Sequence, residues 1–143
     1  MVAPSIRILV VEDFTPFRQF ICSTLKEAWN VRNIAEACDG KEAVALAKKL
    51  QPHLIVMDIG LPKLNGLEAA RQIRKLSPES KILFLSQESS EETVLEAICI
   101  GAMGYVVKFD AGSELLVAAE AVLRGERFIG ARFAGGGFFD PLE

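Results

Sequence analysis

Five side chains that could carry out phosphate or metal chemistry follow short apolar runs of the sequence. They are the carboxylates of Glu12, Asp13 and Asp58, the hydroxyl of Ser86 and the ammonium of Lys108. Carboxylate oxygens are ligands that Mg²⁺ prefers, and no histidine or cysteine adjoins them to favour zinc. A metal and an ammonium neutralise charge on a transferring phosphoryl group, and a hydroxyl can donate a hydrogen bond to it. Because a carboxylate is a competent nucleophile toward phosphorus, the set predicts a phosphoryl-transfer site that forms an aspartyl phosphate.

Three carboxylates gathered at one place repel one another unless something compensates for their charge. Two carboxylates about 5 Å apart repel by about 3 kcal/mol at an effective dielectric constant near 20. A cluster of three is therefore tolerated mainly when a cation sits among them, or when one carboxyl stays protonated. A single acid after a strand is usually a solvated loop residue, but complementary groups that end four strands favour a cation site.

The apolar runs predict the strands that would gather these side chains. Each run is about strand length and lacks polar alternation, which is typical of parallel strands covered on both faces. The runs are residues 8–11, 54–57, 82–85 and 105–107, with a weaker edge strand over 31–37. Amphipathic helical segments separate them, which predicts an α/β fold with a doubly wound five-stranded parallel sheet and five helices on both faces. Ligands bind such sheets at the carboxyl ends of the strands, so one rim would hold all five groups.

Helix boundaries are predicted from capping signals. Thr15 and Pro16 supply a cap and a first-turn proline for the first helix. Three pairs match the spacing of a capping box or its Asp/Asn variant, namely Asp39 with Glu42, Asn65 with Glu68 and Ser89 with Glu92. The last helix is predicted over residues 113–124.

Composition bounds the class of protein. The 143 residues are 50% hydrophobic and 24% charged, which suits one soluble domain with a sizeable core. The formal net charge of −3 and the dispersed Lys and Arg residues argue against direct nucleic-acid binding. No apolar stretch approaches the roughly 20 residues that a membrane span needs. Three scattered cysteines and no signal peptide predict reduced thiols and a cytoplasmic protein.

Several motifs in order resemble the receiver domain of two-component response regulators. They are the acidic pair in "VVEDF", the stretch "LIVMDIGLPKLNGLEAARQIR", and the later "ILFLS" and "GAMGYVVK", and the resemblance covers nearly all of residues 5–126. It implies the flavodoxin-like receiver fold, with strand order 2-1-3-4-5, for a domain over residues 4–126. It also implies a phosphorylation switch that receives its phosphoryl group from a sensor histidine kinase with Mg²⁺, rather than an enzyme with an external substrate.

The resemblance assigns a role to each matching position. Asp58 would be the phosphoacceptor, and Ser86, Tyr105 and Lys108 would be the switch and phosphoryl-contacting residues. The Mg²⁺ ligands would be Asp13, Asp58, the backbone carbonyl of Gly60, and Glu12 through water. The sequence departs from the family at Lys108–Phe109, because a proline in a cis peptide commonly follows the lysine. A cis bond before phenylalanine costs about 3 kcal/mol, so the isomer of this bond stays open.

The output of the switch is also predicted by the resemblance. Phosphorylation would change the surface formed by the fourth helix, fifth strand and fifth helix, and so control an output such as transcription. Residues 101–129 most resemble receivers that carry a helix-turn-helix output domain, so the chain is either a truncated regulator or a solitary receiver. Residues 127–143 are predicted to be a flexible tail or linker remnant. Its phenylalanines, or the fourth-helix surface, would mediate a homodimer.

One alternative from another class is a Mg²⁺-dependent phosphohydrolase with an aspartate nucleophile, of the haloacid dehalogenase-like kind. That family places a second aspartate two residues after the nucleophile as the acid/base. Gly60 stands at that position here. A nucleotide or flavin module is excluded, since the sequence has no glycine-rich phosphate loop and carries acids in the first loop.

Overall fold

The computed structural model describes residues 5–133, which form a parallel sheet between two layers of helices. The strands are β1 (Ile8–Val11), β2 (Ile34–Ala37), β3 (Leu54–Met57), β4 (Lys81–Ser86), β5 (Gly104–Val107) and β6 (Phe128–Ile129). The helices are α1 (Thr15–Trp29), α2 (Gly40–Leu50), α3 (Gly66–Leu76), α4 (Glu91–Ile100) and α5 (Ala111–Leu123). Two short 3₁₀ helices, Lys108–Asp110 and Ala131–Phe133, follow β5 and β6.

All neighbouring strands pair in parallel, in the order β2-β1-β3-β4-β5-β6. This confirms the predicted doubly wound sheet and its order for the first five strands. The sixth strand is new: β6 pairs with the outer edge of β5, within a segment predicted to be a flexible tail. Two residues are too few to show an apolar period, so local pattern did not reveal it. Residues 134–143, with Phe138 and Phe139, lie outside the described residues, and the domain boundary at residue 126 stays a prediction.

The strands contribute alternate side chains to two apolar cores. On one face, side chains such as Val10 and Val56 pack with Leu25 and Trp29 of α1 and with α5. On the other face, Ile55 and its neighbours pack with α2, α3 and α4. Because both faces are covered, the inner strands β1, β3, β4 and β5 carry apolar residues without alternation, and their charged neighbours appear only at the strand ends.

The structure corrects several helix boundaries. Asp39 and Asn65 cap α2 and α3 as predicted, each accepting a hydrogen bond from the backbone N–H three residues later. The cap of α4 is Ser90 rather than Ser89, and α1 is preceded by Phe14, which leaves Thr15 inside the helix. The last helix begins at Ala111, because a 3₁₀ turn leads into it. Within residues 5–133, none of the helices combines the length and hydropathy needed to cross a bilayer.

Candidate phosphoacceptor site

The ends of β1, β3, β4 and β5 bring the predicted site residues to one cleft. In the sheet register Val11 pairs with Met57, and the Asp58 N–H donates to the Val11 carbonyl at 3.0 Å. The first loop and the loop after β3 therefore leave the sheet side by side. Glu12, Asp13, Asp58, Gly60, Ser86 and Lys108 all line a cleft of about 840 Å³.

Asp58 stands at the floor of this cleft and is 7% exposed. Its Oδ1 accepts hydrogen bonds from the backbone N–H groups of Ile59 at 2.7 Å and Gly60 at 3.4 Å. Its Oδ2 accepts one from Lys108 Nζ at 3.0 Å. These donors hold the carboxylate in one orientation, with an opposite charge beside it.

Lys108 also contacts a second carboxylate. Its Nζ lies 2.8 Å from Glu12 Oε1, and Glu12 Oε2 accepts the Phe14 N–H at 3.0 Å. Burial raises the pKa of Glu12 above its usual value, and the charge of Asp58 acts in the same direction, whereas Lys108 and the Phe14 N–H oppose it. Glu12 is 1% exposed, which explains why burial has the largest effect.

The ammonium of Lys108 is held in its charged form. Burial alone would lower the pKa of Lys108, but the hydrogen bonds to Glu12 and Asp58 together raise it above the usual value. The ring of Phe17 lies beneath Nζ, with 5.0 Å to its centroid, which adds a cation–π contact. The Lys108–Phe109 bond is trans, so the lysine reaches Asp58 without a cis peptide.

Glu12, Asp13 and Asp58 form an oxygen-rich cluster that fits a hard divalent cation. Each offers a carboxylate oxygen, and the three oxygens lie within 4.8 Å of one another. If all three are ionised, Lys108 leaves the group with two negative charges, which a divalent cation would balance. Asp13 is exposed to solvent. A cation would therefore keep water ligands, as Mg²⁺ does.

Ser86 lines the cleft, and Tyr105 lies next to it in the core. Ser86 Oγ accepts the N–H of Glu88 at 3.1 Å, and the Tyr105 hydroxyl donates to the Glu88 carbonyl at 2.8 Å. The Tyr105 ring is fully buried, and burial raises the pKa of its phenol to about 12. In this structure, therefore, the predicted switch aromatic already points inward.

Two features of the site were missed by sequence reasoning. Arg18 Nη1 donates to the Glu12 carbonyl at 2.8 Å, and its Nε donates to Glu36 at 2.9 Å. Arg18 thus ties the acidic loop to α1 and β2, and no local pattern signals this, since its partners lie outside its own helix. Phe14 and Phe109 are 61% and 87% exposed at the mouth of the cleft, and only their adjacency to site residues could have indicated them.

Comparison with known proteins identifies a family for this arrangement. A model of the response regulator receiver domain matches residues 8–120. The transcriptional regulatory protein DegU of Brevibacillus brevis is 34% identical over 124 residues, which are 87% of this chain and 52% of that protein. A regulatory protein of Bacillus subtilis, YxjL, is 36% identical over 121 residues, which are 85% of this chain and 56% of that protein. The chain thus spans about half the length of these curated relatives.

A solved structure is similar to this chain over nearly its whole length. It is a two-component response regulator of the LuxR family from Aurantimonas sp. SI85-9A1, 32% identical, with a TM-score of 0.86. The similarity covers 96% of this chain and 98% of that one.

Proposed function

The chain belongs to the response regulator receiver family, and from that premise we propose that it is a switch driven by phosphorylation of Asp58. The phosphoryl group would come from a phosphohistidine of a sensor histidine kinase. The observation that supports this most is the convergence of Asp58, Lys108 and the acidic pair Glu12 and Asp13 in one cleft.

In the proposed reaction, a carboxylate oxygen of Asp58 attacks phosphorus as the bond from phosphorus to the imidazole nitrogen of the donor breaks. The backbone N–H groups of Ile59 and Gly60 orient the carboxylate. Lys108 lies 3.0 Å from Asp58 Oδ2 and would neutralise charge on the transferred group. A Mg²⁺ ion held by Asp13, Asp58 and the Gly60 carbonyl, with Glu12 through water, would supply further neutralisation when bound.

Ser86 would sense the product of this transfer. Its Oγ accepts the Glu88 N–H but can also donate to a phosphoryl oxygen across the cleft. That hydrogen bond would favour one position of the loop between β4 and α4, and so shift the population of surfaces formed by α4, β5 and α5. The relatives are named as transcriptional regulators, which supports transcription as the output; we assign no direct contact with DNA to residues 5–133.

A small phosphodonor with Mg²⁺ tests the assignment of Asp58. We expect the intact mass of the chain to gain one phosphate, and Asp58→Asn to gain none, because the amide is not a nucleophile. Asp39→Asn is the matched control, since Asp39 caps α2 and asparagine caps helices equally well.

Two results would contradict this proposal. Full labelling of Asp58→Asn would show that another residue accepts the phosphoryl group. Repeated turnover of a phosphate ester that depends on Asp58 would instead indicate the phosphohydrolase.

A further inference from the structure

Residues 128–133, here called the strap, lie along the outer edge of β5, opposite the edge that pairs with β4. The Phe128 N–H donates to the Met103 carbonyl at 3.0 Å, and the Gly130 N–H donates to the Tyr105 carbonyl at 2.9 Å. The strap thereby covers the strand that carries Tyr105 and precedes Lys108. It also leads to whatever part of the chain follows residue 133.

Polar contacts fix the strap to the beginning of α5. Arg132 donates to both carboxylate oxygens of Asp110, at 2.8 and 3.1 Å. The Ala131 N–H donates to Glu114 Oε2 at 2.9 Å. Asp110 lies two residues after Lys108, so the strap is anchored close to the candidate site.

Phe133 packs directly on the ring of Tyr105. The two rings meet edge to face, with centroids 6.1 Å apart and an interplanar angle of 82°. Phe84 lies 6.3 Å from the same ring. Phe133 is 6% exposed, so the contact is within the core rather than on the surface. A Tyr105 ring turned toward solvent would lose this contact with Phe133, so the packing favours the buried position of the ring.

These contacts connect the cleft to the strap without a break. Ser86 accepts the N–H of Glu88, the Glu88 carbonyl accepts the Tyr105 hydroxyl, and Tyr105 contacts Phe133. Every contact is a hydrogen bond or a ring contact between described residues. Ser86 and the strap are therefore joined by one continuous series of contacts.

We propose that Phe133 is a positioning residue that holds Tyr105 inward, and that the strap is the element through which the cleft acts on the chain after residue 133. This inference rests on the proposed function, and it adds that the inward position of the Tyr105 ring accompanies phosphorylation. Coupling of this kind is reciprocal. A phosphoryl group in the cleft stabilises the docked strap, and undocking of the strap weakens binding of that group by the same factor.

Binding of beryllofluoride with Mg²⁺, which mimics the phosphoryl group, measures this coupling. We expect Phe133→Ala and Arg132→Gln each to weaken binding by about fivefold or more, the lower end of usual coupling. Arg132→Gln loosens the strap from outside the core, so it serves even if Phe133→Ala destabilises the fold. Leu76→Ala, at a half-exposed position at the end of α3, is the control for loss of an apolar side chain and should bind as the parent does.

Amide hydrogen exchange provides the second measurement. We expect beryllofluoride with Mg²⁺ to slow exchange of the Gly130 and Ala131 amides in the parent chain, and to do so less in Arg132→Gln. Unchanged affinity in both variants, with unchanged exchange of these amides, would overturn the inference while leaving the proposed function intact. Failure of the parent chain to bind beryllofluoride would instead count against the proposed function itself.

Discussion

Tyr105 is the only tyrosine of the chain, so any phenolate signal comes from this residue. Burial between Phe84 and Phe133 removes the ring from water, and the hydroxyl is satisfied by the Glu88 carbonyl. The charges of Glu88 and Asp58 further disfavour the phenolate. The inward position of Tyr105 therefore favours the neutral, protonated form of its phenol.

Titration of this phenol gives a prediction at the same scale. Burial raises the pKa of Tyr105 to about 12, against about 10 for an unfolded tyrosine. A raised pKa means that the fold favours the protonated phenol, so its contribution to stability is complete below about pH 10 and is lost as the pH rises from there through about 12. Phenolate absorbance measured against pH, with the fluorescence of the single Trp29 to follow unfolding, checks this.

The control for the titration is Tyr105→Phe, which should show no phenolate signal and a weaker loss of stability in alkali. Ionisation of Tyr105 near pH 10 while the chain stays folded would contradict the buried position.

The loop between β3 and α3 is the element that places the phosphoacceptor. The Gly66 N–H donates to the Ile59 carbonyl at 2.7 Å, which closes the loop and brings the start of α3 against the residues after Asp58. A Cβ on Gly66 would lie 2.1 Å from the Asp58 carbonyl oxygen and 2.8 Å from Ile59 Cα. Glycine is therefore required at this position by close backbone approach. At Gly60 nothing lies within 4 Å of such a Cβ.

The two glycines of this loop make a matched pair of variants. We expect Gly66→Ala to lower the free energy of unfolding by about 1–3 kcal/mol, since backbone atoms must move to admit the methyl group. Gly60→Ala should change it by less than about 0.5 kcal/mol, as is usual for an open position. Denaturant unfolding followed by Trp29 fluorescence measures both. Equal stability of the two variants would contradict the close approach.

Across the whole molecule, β6 changes which surfaces are available. The outer edge of β5 is paired with β6, so another copy of the chain cannot add a strand there without displacing the strap. A contact through α4, β5 and α5 must then use side chains, and Leu95 on α4 and Val117 on α5 are 39% and 54% exposed. Exposed apolar groups of this kind mark contact surfaces when they cluster.

Solution mass tests the proposed homodimer at this scale. We expect the mass to double with beryllofluoride and Mg²⁺, because the population shifts toward the surface that pairs. Leu95→Arg should keep the chain monomeric, whereas Leu76→Arg on α3 should not. A dimer that forms equally well in Leu95→Arg would move the contact away from α4.

The sequence by itself determined the order of the first five strands and the five helices, the caps at Asp39 and Asn65, and the residue types at the carboxyl ends of the strands. These features are local: an apolar run, a capping spacing or a strand end involves residues close together in the chain. The receiver family and its fold followed from the same local motifs. The roles of the site residues stay predictions, although the structure brings those residues together.

Only the tertiary structure decided how these groups meet. Lys108 contacts Glu12 and Asp58 at once, Arg18 holds the Glu12 carbonyl, and Phe133 packs on Tyr105. Each contact joins residues from different elements, and the two-residue strand β6 exists only because the edge of β5 offers it hydrogen-bond partners. Such partners are supplied by the folded sheet, and no period or spacing in the chain encodes them.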